Sequence, residues 1–185
     1  VLWEKTNPAD KLNRINLSLR CLLIDDGENK VLIETGMGDK ITEDFAKMFH
    51  VFQPKHPLEE KLSDIGYQMQ EITHVILTHL HFDHSGGAIT LDSHNNLVPA
   101  FPNAIYYVSE RNWEAGIKPS PRDSASYLDL NYLSLQETDQ LIYLQILLRP
   151  HTLCYLTKLR YFVYLLLMEK DFLNQPFNYY IFYIY

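Results

Sequence analysis

Thr78-His79-Leu80-His81-Phe82-Asp83-His84-Ser85-Gly86-Gly87 places four metal-capable side chains within six positions, 79 to 84. Neutral imidazole and carboxylate are the ligands that borderline-soft divalent cations prefer. The stretch before it, Thr73 to Thr78, is short and nearly continuously apolar, as in a strand buried on both faces. His79 therefore stands at the C-terminal end of a buried strand, where α/β folds put their ligands. Residues two apart in an extended segment point the same way, so His79 and His81 converge on one ion. Asp83 and His84 fall past the turn and address a second ion close by. Gly86 and Gly87 remove side-chain bulk and let the backbone pass near the metals. A polar loop with chance histidines is the bland alternative, and this spacing behind an apolar strand argues against it.

Outward from that motif the chain alternates strands and helices. Asn16 to Ile24 and Val31 to Glu34 flank the polar turn Asp25-Asp26-Gly27-Glu28-Asn29-Lys30, which predicts a β-hairpin. Thr35-Gly36-Met37-Gly38 then breaks the strand. Ile41, Phe45, Met48, Phe49 and Phe52 recur at helical spacing, predicting an amphipathic helix over 40–52 whose stripe is core. Pro57 to Ile65 repeats the pattern, with proline at the helix start and Gly66 to cap its end. Small residues open a helix near Ser85. Ala104 to Ser109 reads as another strand and Glu110 to Gly116 as a short helix around Trp113. The fold class expected is α/β, in layers.

Composition bounds the partners. With 185 residues and 46% hydrophobic content, the chain supports one domain with a real core. Its formal charge of −7, with no run of Lys or Arg, argues against nucleic acid and anionic lipid. Cys21 and Cys154 make no disulfide framework, so a reducing, cytoplasmic setting is expected. Val1 to Arg20 has no signal-peptide pattern, and the missing initiator Met suggests residues before Val1. The longest apolar run, Tyr161 to Met168, falls far below the ~18 residues of a membrane span. From Leu141 the character changes: there is no Gly and no Ala, and 8 of the 13 tyrosines lie there. Two segments follow from this, 1–140 as the layered α/β domain and 141–185 as an atypical apolar tail, read as either an unusual apolar segment or, by preference, one not native to the fold.

The 79–84 segment resembles the His-x-His-x-Asp-His motif of the metallo-β-lactamase superfamily, whose fold is a four-layered αβ/βα sandwich. Leu32-Ile33-Glu34-Thr35-Gly36 resembles the family's strand ending in Asp-Thr-Gly. Ile72 to His79 and Phe101-Pro102-Asn103-Ala104 are similar to its lactonase and organophosphate-hydrolase branch. The likeness covers about 15–140, roughly the N-terminal half of such an enzyme, so a partial sandwich is expected. It implies His79 and His81 on metal one and Asp83 and His84 on metal two, with two Zn²⁺ ions, or Mn²⁺ or Fe²⁺ in their place. It also implies a metal-bound hydroxide that attacks a lactone, ester, thioester or organophosphate, with Asp83 able to take the proton. Glu34 replaces the usual aspartate with an arm one methylene longer, which alters the support of the metal loop.

The family completes its site with a Gly-His-Thr turn, a bridging aspartate and a last histidine. Pro150-His151-Thr152 is the nearest counterpart of the turn, and Asp171 is the one later aspartate. Two ligands per ion fall short of the three protein ligands usual for catalytic zinc. The alternatives are therefore an inactive truncated remnant holding half a site, and a half-site completed by a second chain in an oligomer. Nuclease and diiron oxidoreductase branches share the motif; the acidic surface speaks against the first, and the lack of room for a flavin domain against the second. His74 reads as a strand-opening residue, and His50, His56 and His94 as solvated. Cys21, Tyr106, Tyr107 and Trp113 read as core or sheet residues.

Overall fold

The computed structural model describes residues 5–145 and 178–184. Its centre is a six-stranded sheet in the order β7-β6-β3-β2-β1-β8. The strands are β1 (Leu19–Asp25), β2 (Lys30–Ile33), β3 (His74–Leu77), β6 (Ile105–Ser109), β7 (Leu141–Leu144) and β8 (Asn178–Ile184). A separate hairpin joins β4 (Ile89–Leu91) to β5 (Leu97–Pro99). Strands β2, β3, β6 and β7 run parallel, whereas β1 is antiparallel to both β2 and β8. Mixed α/β layering is thus the architecture that the alternating pattern predicts.

The predicted hairpin forms as β1–β2. Asp26 closes it, its Oδ1 accepting from the backbone N–H of Glu28 and Asn29, while Gly27 takes the φ of 89° that the turn needs. Register then aligns Leu23, Leu32, Val75 and Tyr106 in one row across four strands, all fully buried. That row, with Cys21, Leu77 and Val108, packs in one cluster with Leu58, Leu62, Phe101, Trp113, Tyr132 and Leu135. Each fully buried aliphatic side chain contributes about 1.5–3 kcal/mol. Cys21, Tyr106 and Trp113 are core as expected, and Tyr107, half-buried, stacks on His74 across β3–β6.

The helices between the strands are α1 (Glu43–Phe49), α2 (Pro57–Asp64), α3 (Phe82–Ser85) and α4 (Glu110–Ile117). Pro57 opens α2 and Gly66, at φ 87°, follows its end, as the sequence predicts. Helix α1 departs from the predicted span and burial. It is shorter than 40–52, running from an N-cap at Thr42 to a left-handed His50, and none of its residues is buried. Met48, Phe49 and Phe52 are 71%, 48% and 68% exposed. Periodicity reported the helix correctly but not what its apolar face meets: the rings of Phe45 and Phe49 turn to Phe82.

Two parts of the compositionally odd C-terminus, 141–144 and 178–184, are the edge strands β7 and β8. Runs of Leu, Ile, Tyr and Phe suit a half-buried pleated surface. Pro150, His151, Thr152, Cys154 and Asp171 lie outside the described residues. Among the described residues no helix is long and apolar enough to cross a membrane.

Candidate metal centre

Strand β3 ends at Leu77, and the chain leaves the sheet through Thr78 into the histidine loop. Thr78 is held from both sides. Its N–H donates to Glu34 Oε1 at 2.9 Å, and its carbonyl accepts from Asn112 Nδ2 on α4. Ser109 caps α4 by accepting from the Asn112 N–H, which fixes that side chain's origin. The Thr78 hydroxyl meets His79 Nδ1 at 3.0 Å, leaving the other ring nitrogen for a cation.

The loop then folds back as the single turn α3. His84 and Ser85 donate backbone N–H bonds of 3.0 Å to the His81 carbonyl, and the Ser85 hydroxyl donates to His81 O and Leu80 O. This curl carries His84 back over the strand end. The His79 ring lies 4.6 Å from that of His81 and 4.0 Å from that of His84, centroid to centroid. Asp83 Oδ2 stands 3.4 Å from His84 Nε2. The rings of His79, His81 and His84 thus stand together beyond the strand's end with Asp83 beside His84, but of these four only His79 and His84 fall in the group of donor atoms that the structure brings within 4.8 Å.

Glu34 closes the group. Its φ of 67° is left-handed, an unfavourable conformation for a residue with a Cβ, and it turns the end of β2 toward the histidines. One carboxylate oxygen takes the Thr78 N–H and the other contacts His84 Nδ1. Ligand atoms of Glu34, His79 and His84 all lie within 4.8 Å of one another. The longer glutamate arm thus brings its carboxylate directly into the donor group.

Charges in the cluster diverge. Burial, reinforced by the neighbouring His84, pushes the His79 pKa down to about 4, so its imidazole is neutral at pH 7. Burial acts the same way on His84, but hydrogen bonds to Asp83 and Glu34 outweigh it and raise that pKa to about 10. Burial works against the Asp83 carboxylate, yet the bond to His84 holds its pKa below the usual range. Without metal, His84 is thus an imidazolium clamped between two carboxylates. A divalent cation would replace its proton, and this set of imidazoles and carboxylates fits such an ion.

Two neighbours escaped sequence reasoning. Tyr127 bridges to His81 through its backbone and sets its ring 4.7 Å away, edge to face. Asn112 anchors the carbonyl just before His79. Neither carries a local pattern, since each acts on a loop more than thirty positions away. His74 opens β3 as expected, its Nδ1 2.7 Å from the Thr73 hydroxyl. His50, His56 and His94 are exposed, and His56 faces Asp39 at 3.3 Å.

The family model described as "Metallo-beta-lactamase superfamily" matches residues 18–156, running past residue 140 into the tyrosine-rich segment. An N-acyl homoserine lactonase of Bacillus cereus is 33% identical over 84 residues, 40% of this chain and 34% of the lactonase. A probable metallo-hydrolase of Mycobacterium tuberculosis is 29% identical over 126 residues, 63% of this chain and 37% of its own length. Among solved structures, a probable metal-dependent hydrolase from Staphylococcus aureus superposes with a TM-score of 0.68 at 28% identity, covering 80% of this chain and 52% of that one. The hydrolase AbOPH, at 23% identity and a TM-score of 0.57, shares the fold over 80% of this chain and 50% of its own. The chain spans about a third of the length of these curated relatives and about half that of the structures.

Proposed function

Because the chain belongs to the metallo-beta-lactamase superfamily, a family of hydrolases related here to lactonases, we propose that it carries the metal-bearing half of a hydrolase acting on a lactone, ester, thioester or organophosphate. The observation that carries this reading is the donor group of Glu34, His79 and His84 within 4.8 Å, with His81 and Asp83 against it. His79, His81, Asp83 and His84 would hold two cations, zinc by preference. Such ions acidify a water and polarise a carbonyl or phosphoryl oxygen. The protein's own part is to keep His79 neutral, to fix His84 through Glu34 Oε2, and to hold Asp83 ionised where it can accept a proton.

A substrate with an apolar arm suits the surroundings. Phe82, between the ligands His81 and Asp83, packs edge-on against Phe45 with ring centroids 5.0 Å apart and lies 5.2 Å from Phe49. Phe49 is partly exposed, so these rings offer an apolar surface beside the loop that carries His81 and Asp83. An acyl homoserine lactone, the substrate class named for the Bacillus relatives, has a reactive carbonyl and such an arm. We place the protein in the cytoplasm on its cysteine usage.

A second reading is a half-site that binds metal without turnover, favoured by the count of nominated ligands, two per ion against the three protein ligands usual for catalytic zinc. Metal analysis after zinc loading, with hydrolysis of a medium-chain acyl lactone, an aryl ester and a phosphotriester, separates the two. Stoichiometric zinc lost in His79→Ala, with turnover of one substrate, is the expected result. Zinc without turnover establishes the second reading, and a chain that takes up no zinc rules out both.

A further inference from the structure

We propose that Lys40 is a positioning residue of the metal loop, its ammonium tying the glycine turn behind His84 to the segment that leaves β2. This rests on the metal-centre reading above. Lys40 Nζ donates to the Gly86 carbonyl at 2.6 Å and to that of Ile89. These two carbonyls bracket the 3-10 turn Gly86–Ala88, which begins two residues after His84.

The two segments already touch with no space between them. A Cβ on Gly38 would come within 2.2 Å of the Gly86 carbonyl oxygen, and one on Gly86 within 2.1 Å of that of Met37. Gly36 and Ser85 form a parallel bridge, and the N–H and hydroxyl of Thr35 both donate to the His84 carbonyl, at 2.8 and 2.9 Å. His84 is thus fixed on one side by Thr35, and the turn that follows is fixed by Lys40. Gln53 Nε2 pins Gly38 O from behind at 2.6 Å, and Asp39 takes the Thr90 hydroxyl at 3.0 Å, so Lys40 springs from a braced segment.

Holding an ammonium there is costly. Burial pushes its pKa down to about 8, and the Asp39 charge offsets part of that. Directional bonding to two carbonyls behind the ligand turn gives the charge a role that a hydrophobic filler could not fill. Metal ligands tolerate displacements of only about 0.5 Å, so loosening this turn reaches Asp83 and His84.

The test is cobalt titration of the intact chain, reading affinity by chelator competition and the ligand-field absorption spectrum. Lys40→Met should bind cobalt about tenfold or more weakly and with an altered spectrum, and Lys40→Arg should recover both. A role confined to stability would lower the melting temperature and leave the spectrum unmoved. Parental affinity and spectrum in Lys40→Met would overturn the proposal. Should that variant not fold, Lys40→Gln takes its place under the same criteria; unfolding of both would assign Lys40 to the fold as a whole and equally overturn it. A parent that binds no cobalt would overturn the metal-centre reading itself.

Discussion

His79 and His84 stand with ring centroids 4.0 Å apart and are driven to opposite protonation states. Both are desolvated, which alone would make both neutral. The difference lies in partners: His79 Nδ1 meets a threonine hydroxyl, whereas both ring nitrogens of His84 face carboxylates. A neutral imidazole thus sits beside a protonated one, in the place where a cation would compete for the proton.

Zinc binding should therefore release a proton. At pH 7 His84, with a pKa of about 10, is protonated, and its Nε2 must lose that proton to ligate. About one proton per bound cation is expected from this residue, with affinity rising about tenfold per pH unit between pH 7 and 9. Calorimetry in buffers of different ionisation enthalpy measures it. Binding heats independent of buffer would refute the assignment.

The metal-free protein should lose stability from this site on both sides of about pH 6.5. His79 is lowered in the fold, from 6.5 to about 4, so its contribution is complete above 6.5 and fades as pH falls toward 4. His84 is raised to about 10, so its contribution is complete below 6.5 and fades as pH climbs through 10. Thermal melts in chelator across pH 4 to 10 should show the dome, and His84→Gln should flatten its alkaline limb. An unchanged alkaline limb in that variant would contradict the pairing with Glu34 and Asp83.

Gly86→Ala should destabilise the protein by about 1–3 kcal/mol through overlap alone. Its φ of −59° is ordinary for any residue, but the new Cβ would meet the Met37 carbonyl at 2.1 Å. Urea unfolding reads the cost, and a variant as stable as the parent would show that the two segments are not in contact.

Phe52→Ser and Met48→Ser should each change stability by no more than about 0.5 kcal/mol, since both side chains are mostly exposed. Leu62→Ala, by contrast, removes a fully buried side chain and should cost about 2–5 kcal/mol. Equal losses at the three positions in urea melts would restore the stripe on α1 to the core.

How much could be read in advance follows from the range of the signal. The hairpin at Asp26-Gly27, the proline start of α2 and the apolar strand before His79 each declare themselves within a few residues, because turn chemistry and side-chain period are local. The burial of α1 did not, since its period is the same whether a sheet or solvent lies beneath it. Nor did β7 and β8, where Leu, Ile, Phe and Tyr follow one another with no clear period of 2 or 3.6 to tell strand from helix.

The sequence by itself determined that two imidazoles, an acid and a third imidazole would follow the end of a buried strand, because those spacings are covalent. Only the tertiary structure decided that Glu34, fifty positions before His84, would turn through a left-handed backbone into the same cluster, and that Lys40 would reach the carbonyls behind it. Those contacts depend on β2 lying beside β3 in register, and hydrogen-bonded pairing between distant segments leaves no periodic trace in either one.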